Sequence, residues 1–104
     1  MQHYDVLTIP DADNDLAEIF EYIAIKLEAP EAASTIIKKF RSSMSALEEM
    51  PLRHAAARDQ LLAGQGFRVM PVEHYLIFYI VDEALHKVII HRVVYAKRNY
   101  KKLF

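Results

Sequence analysis

The chain has 104 residues, of which 53% are hydrophobic and 26% are charged, and it contains no cysteine. This length and composition are typical of one folded domain, so a disordered chain and a two-domain protein are both excluded, and we expect one domain over residues 1–104. Without cysteine, neither disulfides nor thiolate metal ligands can hold it together, which fits a cytoplasmic protein. No export signal stands at the start, and no apolar run reaches the ~20 residues that span a bilayer, so no membrane association is expected.

The net charge of −1 conceals an asymmetry between the two halves of the chain. Residues 1–50 carry four basic and ten acidic side chains, whereas residues 51–104 carry nine basic and four acidic ones. From Lys87 onward there are six basic side chains and no acidic one. An anionic partner would therefore meet the C-terminal end, although a solvated basic tail explains the same pattern.

The first half of the sequence predicts one strand and two helices. Residues 3–9 are rich in β-branched and aromatic side chains and stop at Pro10, which favours a short strand. Apolar side chains then recur at helical spacing and predict helices over residues 11–28 and 31–50, each with a proline just before it. The connection is so short that the helices must form an antiparallel hairpin. We expect both apolar stripes in the core: Leu16, Ile19, Phe20, Ile23 and Leu27 in the first, and Ala33, Ile36, Ile37, Phe40, Met44 and Leu47 in the second.

The second half predicts a connection followed by three strands. Residues 51–66 have weak periodicity and two glycines, which indicates a loop with at most one helical turn. Strands are expected over residues 67–72, 75–81 and 88–95, the first at a sheet edge because Pro71 cannot donate a hydrogen bond there. The last two are almost continuously apolar and predict a central β-hairpin. The order is β-α-α-β-β-β, an α+β fold in which the helical hairpin packs on a mainly antiparallel four-stranded sheet.

Histidine is the residue type that could supply acid–base or metal chemistry. Strict alternation along the last strand predicts that His91, Val93 and Tyr95 share one face and that Arg92 points to the other. His91 could act as an acid or base near neutral pH, although a histidine on a strand is more often simply packed or solvated. The histidines show no metal-ligand spacing, so no metal and no other cofactor is expected.

Four short motifs follow one another along the chain. They are the Asp-Leu-x-x-Ile-x-x-Tyr-Ile run of Asp15–Ile23, the Phe67–Arg68 pair, the Tyr-x-Ile-x-Tyr strand of Tyr75–Tyr79, and Arg98. In this order and spacing they resemble the RelE/ParE superfamily of toxins from type II toxin–antitoxin systems, over essentially the whole chain. The resemblance implies a growth-inhibiting toxin of the plasmid-stabilisation kind. A cognate antitoxin would neutralise it in a hetero-oligomeric complex, by wrapping a flexible segment over its surface.

One branch of this superfamily is enzymatic. RelE-like toxins cut messenger RNA in the ribosome, with basic groups around the scissile phosphate and a 2′-hydroxyl as nucleophile. The catalytic candidates in this chain would be Arg68, His91 and Arg98. Two expected groups are missing, since Leu76 stands where these nucleases commonly have arginine and Phe104 where they have tyrosine. A ribosome-dependent endoribonuclease acting on mRNA is therefore the alternative function.

The other branch poisons DNA gyrase by binding it. The Glu73-His74-Tyr75 sequence and the tail that starts at Arg98 resemble these ParE-like toxins. The sequence pI of about 6.5 favours them too, because entry into a ribosomal RNA cavity would gain from a strongly positive surface. We therefore predict a gyrase-directed toxin that is not an enzyme, with a non-toxic relic that still binds antitoxin as a further possibility. The predicted target-binding residues are Arg68, Arg92, Tyr95, Lys97, Arg98, Tyr100, Lys101, Lys102 and Phe104.

Overall fold

The computed structural model describes residues 3–104. The elements in chain order are β1 (Asp5–Thr8), α1 (Pro10–Glu21), a π-helical turn (Tyr22–Lys26), α2 (Pro30–Ala46), α3 (Gln60–Gly64), β2 (Arg68–Val72), β3 (Tyr75–Asp82), β4 (Lys87–Tyr95) and a 3₁₀ turn (Tyr100–Leu103). The predicted α+β fold is confirmed. α3 is the helical turn allowed for in the connection, and the two short turns are additions. Among residues 3–104, no helix is long and apolar enough to cross a membrane.

The four strands form one mixed sheet in the order β1-β4-β3-β2. β3 pairs antiparallel with both β2 and β4, whereas β1 runs parallel to β4. The predicted central hairpin is therefore confirmed, and Pro71 lies in the edge strand β2. β1 pairs only as far as Thr8 with Ile90, so the second half of β4 has no neighbouring strand on that side.

Both long helices begin at a proline and pack on one face of the sheet, which we call the helix side. Proline suits the first position of a helix because its missing N–H would have no intrahelical partner there. Phe40, Tyr79 and Ile90 are fully buried in this core. Burying side chains of this kind contributes roughly 1.5–3 kcal/mol each. The core residues from the helices are Ala12, Ile36, Phe40, Met44 and Leu47.

The first apolar stripe is only partly buried, and from Tyr22 onward the helix also changes its winding. The Leu27 amide donates to the Tyr22 carbonyl at 3.1 Å, five residues back, which is the hydrogen bond of a π-helical turn. The extra residue in this turn shifts the stripe, and Glu28 then ends the helix with φ of 51°. Leu27 and Phe20 are 56% and 41% exposed, so the expectation that both lie in the core was wrong.

A β-bulge in β4 changes which face its side chains occupy. Phe78 pairs with Arg92, and Tyr79 pairs with Ile90, which leaves His91 as an extra residue. The His91 ring packs on Phe67, on the side of the sheet away from the helices, 5.0 Å between ring centroids. Val93 remains in the helix-side core. The prediction that His91 shares a face with Val93 and Tyr95 was therefore wrong, because the bulge breaks the alternation on which it was based.

The opposite face of the sheet, the second face, is covered by the connection before β2 and by the C-terminal tail. A second apolar cluster forms there, and Tyr100 and Leu103 of the 3₁₀ turn pack against it. The Phe104 ring lies 5.0 Å from Phe67 and 4.9 Å from Phe78, measured between centroids. The basic, aromatic tail is thus folded back onto the sheet. The buried members of this second-face cluster are Ala57, Leu62, Phe67, Phe78 and Val94.

Candidate binding surfaces

An open apolar groove lies between the helical hairpin and the ends of β3 and β4, and we call it the hairpin groove. Its volume is about 900 Å³. Tyr22, Leu27 and Tyr95 line it and remain 52%, 56% and 43% exposed. The π-helical turn carries the first of these and the bend after it carries the second. So much apolar surface in one concave site is typical of a protein-binding groove. Deeper lining residues include Ile19, Ile23, Ile36, Tyr75 and Val93.

Charged side chains of both signs stand at the rim of the hairpin groove. The Lys39 ammonium lies 2.6 Å from the Glu73 carboxylate, and this hydrogen bond lowers the pKa of Glu73. Glu73 is in the β2–β3 turn with φ of 54°, so the pair links that turn to α2. Glu18 and Arg98 also line the groove. Exposed pairs of this kind add little stability but can select a partner by charge.

A buried ion pair replaces the missing strand beside the second half of β4. Asp15, only 7% exposed, accepts hydrogen bonds from Nε and Nη2 of Arg92, both at 2.8 Å. The same carboxylate accepts the Val93 backbone N–H at 2.9 Å, which no β1 residue reaches. The hydrogen bond to Asp15 raises the pKa of Arg92. Arg92 is thus held by an internal ion pair between β4 and α1.

A second cleft, of about 560 Å³, lies on the second face, and we call it the arginine cleft. Its wall is the connection between α2 and α3, which carries Arg53, His54 and Arg58. Burial and the neighbouring Arg53 lower the pKa of His54, which disfavours its charged form. Sequence reasoning treated the connection as an ordinary loop. The available signal was the run Arg-His-Ala-Ala-Ala-Arg, with three basic-type side chains within six residues.

The three nuclease candidates are held in separate places. Nη1 of Arg68 donates to the His54 carbonyl at 2.7 Å, at the start of β2. Arg98 follows the end of β4, where Tyr95 pairs with Tyr75. Arg68 pairs with Tyr79, which lies about 13 Å from Tyr75 along β3. His91 is packed on the second face, and this burial lowers its pKa. The structure does not bring these three side chains around one point.

The other predicted target-binding residues divide into packed and exposed ones. Tyr100 packs on Phe78, with ring centroids 5.1 Å apart, and Lys101 lies 3.4 Å from the Asp59 carboxylate. The Tyr95 ring stands edge-on to Tyr75 at 5.8 Å and is partly exposed. Lys97 and Arg98, just beyond the end of β4, are exposed, and so is Lys102 in the 3₁₀ turn of the tail. Within residues 3–104, no three His, Asp or Glu side chains meet to form a metal site.

The helical hairpin over a β1-β4-β3-β2 sheet is shared with solved chains from two toxin–antitoxin systems. A chain of the chromosomal ParDE toxin–antitoxin system from P. aeruginosa has a TM-score of 0.75 and 16% identity, over 91% of this chain and 98% of that one. A chain of the RelBE2 toxin–antitoxin complex from Mycobacterium tuberculosis has a TM-score of 0.64 and 22% identity, over 93% and 97%. Among curated protein sequences, none matches the chain.

The sequence pattern of the family described as the ParE toxin of the type II toxin–antitoxin system parDE matches residues 6–100. The chain therefore belongs to the ParE toxin family and is the toxin of a type II toxin–antitoxin system. The superfamily resemblance inferred from the four sequence motifs is confirmed.

Proposed function

We propose that this toxin inhibits growth by binding DNA gyrase and not by cutting RNA. The observation that carries the proposal is the separation of Arg68, His91 and Arg98. General acid–base catalysis requires its groups within about 2.6–3.2 Å of the atoms whose protons they move. Arg68 is held at His54, His91 packs on Phe67 on the second face, and Arg98 follows the far end of β4, which is unfavourable for a shared phosphate. The two sequence departures agree, because Leu76 packs against the second-face cluster and the Phe104 ring packs on Phe67.

We place the gyrase-binding surface at the end of the sheet where β4 runs into the tail. Tyr95, Lys97 and Arg98 are exposed there and carry two positive charges with an aromatic ring, and Lys102 adds an exposed charge on the tail that follows. Tyrosine and arginine are the residue types that most often dominate binding energy at protein interfaces. Arg68 and Arg92 are better assigned to the fold, since each is held by an internal hydrogen bond.

The antitoxin is proposed to occupy the hairpin groove. The two similar solved structures come from toxin–antitoxin systems. The groove is the largest exposed apolar concavity described above, and a flexible partner segment that orders on binding could bury it. The product of the neighbouring gene, mixed with the purified toxin at micromolar concentration, should co-elute with it. Clear separation of the two proteins would count against the proposed partner.

The target is tested by expressing the toxin without its antitoxin. DNA supercoiling should fall and a DNA damage response should begin, while messenger RNA stays intact. Arg98→Ala should relieve the arrest, whereas Arg41→Ala on the exposed surface of α2 should not. Discrete ribosome-dependent cuts in messenger RNA that disappear on changing Arg68 or His91 would instead establish the RelE-like alternative. A folded chain that binds antitoxin but causes no arrest would be a non-toxic relic.

A further inference from the structure

The arginine cleft has no role in the function proposed above, yet it is built like a site for a small anion with a flat apolar body. We propose that it binds a nucleoside phosphate, with Arg53 and Arg58 holding the phosphate and the apolar floor beside Tyr100 receiving the base. The inference does not depend on which target the toxin attacks or on how the antitoxin binds.

The arginine cleft carries uncompensated positive charge. Arg53 and Arg58 both line the cleft, and neither forms an ion pair in the part of the chain that the structure describes. Asp59 is the acidic side chain among the lining residues, and it is already engaged. It accepts the Leu61 and Leu62 amides at 3.0 and 3.2 Å and lies 3.4 Å from Lys101. The two guanidinium groups are therefore available for an anion, and guanidinium matches the geometry of phosphate oxygens.

The segment that carries the arginines is held rigidly. The buried Tyr79 hydroxyl donates to the Pro51 carbonyl at 2.8 Å, and Arg68 holds the His54 carbonyl at 2.7 Å. The segment then pairs with β2, because the Ala57 amide donates to Phe67 at 2.9 Å and the Val69 amide donates to Ala55 at 3.1 Å. A connection fixed at four points presents its side chains with little ordering cost on binding.

The floor of the cleft is apolar and partly aromatic. Leu76, Phe78 and Tyr100 line the floor beside the wall that carries the arginines, and the Tyr100 ring packs 5.1 Å from the buried Phe78 ring, so Leu76 and Tyr100 present the accessible apolar surface. Bases stack on such aromatic and apolar surfaces with little preference among base types. The cleft volume of about 560 Å³ is within the roughly 300–1,000 Å³ of small-molecule sites.

An acidic peptide is a poorer fit to the same charges. An extended peptide gains most of its affinity by adding a strand to a free sheet edge. Here residues 55–57 already pair with the edge of β2, and Pro71 offers no N–H beyond them. The recess therefore favours a compact ligand.

The experiment is a calorimetric titration of the full chain with AMP, adenosine, inorganic phosphate and a single strand of four nucleotides. AMP should bind saturably and more tightly than phosphate or adenosine alone, because it uses both the arginines of the wall and the apolar floor. Arg53→Gln/Arg58→Gln should weaken AMP binding about 10–100-fold, as expected for loss of charge-assisted hydrogen bonds. Lys38→Gln/Arg41→Gln, which removes the same charge from the exposed surface of α2, should leave it unchanged.

A second variant guards against loss of the fold. Ala96 is exposed and lines the cleft, so Ala96→Trp should fill it and block AMP without removing a charge. The site would also be supported if the strand bound as well as AMP and both cleft variants weakened the two ligands alike. The tighter of the two would show whether the nucleotide comes free or as part of a strand. The proposal would be overturned if neither AMP nor the strand bound saturably. It would also be overturned if the two charge variants lost AMP affinity equally, or if phosphate bound as tightly as AMP.

Discussion

The two faces of the sheet are covered by different kinds of chain. The helix side is covered by two regular helices that leave an apolar groove, whereas the second face is covered by a loop and a tail that leave a cleft lined by arginines. A groove of apolar side chains suits a protein segment, and a recess with unpaired cations suits a small anion. One small sheet thus presents two chemically distinct surfaces, and substitutions in one should leave ligand binding to the other unchanged.

The largest expected effect is at the contact that joins the two faces. Asp15 comes from α1 on the helix side, and Arg92 reaches from it toward the Leu103 carbonyl of the tail at 3.4 Å. Asp15→Ala leaves a largely buried guanidinium and the Val93 N–H without their partner, which should cost about 3–5 kcal/mol of unfolding free energy in urea titrations. Asp13→Ala, at an exposed position of the same helix, should cost less than about 1 kcal/mol. Equal costs would show that the faces are not coupled here.

Removal of residues 100–104 should have the next largest effect. It uncovers Phe67 and Phe78, against which the tail rings pack. At roughly 25 cal/mol per Å² of apolar surface, the expected cost is about 2–4 kcal/mol. Lys102→Ala, within the same segment but exposed, should leave the melting temperature nearly unchanged. A truncated chain as stable as the full one would mean that the tail does not close the second face, and any loss of toxicity in the truncated chain must be judged beside its loss of stability.

A smaller effect should separate the two surfaces in antitoxin binding. Leu27 is exposed in the hairpin groove, whereas Leu61 is 79% exposed outside it. Leu27→Asp should weaken antitoxin binding by about 2 kcal/mol, as for an interface anchor, with the fold intact. Leu61→Asp is the matched control and should bind the antitoxin as the wild type does in a titration by calorimetry. The reverse ranking would move the antitoxin away from the groove.

The smallest effect is a pH dependence of the second face. Burial lowers the pKa of His91 below the ordinary value of 6.5, and the Asp11 carboxylate opposes this only in part. The neutral imidazole is therefore favoured in the folded chain, so its stabilising contribution is present above pH 6.5 and is lost as the pH falls through the lowered pKa. His91→Phe should flatten this part of the stability–pH curve, measured by thermal unfolding between pH 7.5 and 5. A curve identical to that of the wild type would contradict the assignment.

Much of the fold could be predicted from the sequence because its signals are periodic and local. Pro10 and Pro30 fix the helix starts, and Pro71 identifies the edge strand. The bulge at His91 could not be foreseen, since no glycine or proline marks it and it depends on the pairing of β3 with β4. The exposure of Leu27 follows from a π-helical turn that has no sequence marker either.

The candidate sites were harder to predict than the fold. Tyr95 and Arg98 lie at the predicted C-terminal end of the sheet, where both line the hairpin groove. Arg68 and Arg92 are charged residues of the kind that binds targets, but their partners, His54 and Asp15, are 14 and 77 residues away in the chain. Composition cannot distinguish an arginine that is already hydrogen-bonded from one that is free. The arginine cleft was missed for the opposite reason, because a segment without periodicity was taken for a simple connection.

The central claim, that this ParE-family toxin acts by binding gyrase, is tested most directly with purified components. DNA gyrase, relaxed plasmid and ATP are incubated with the toxin, and supercoiling is followed on a gel. The wild-type toxin should inhibit supercoiling, Arg98→Ala should inhibit it much less at the same concentration, and addition of the antitoxin should restore it. The claim would be contradicted if supercoiling continued undiminished with a toxin that is folded and binds antitoxin, and if that toxin instead cut messenger RNA on purified ribosomes.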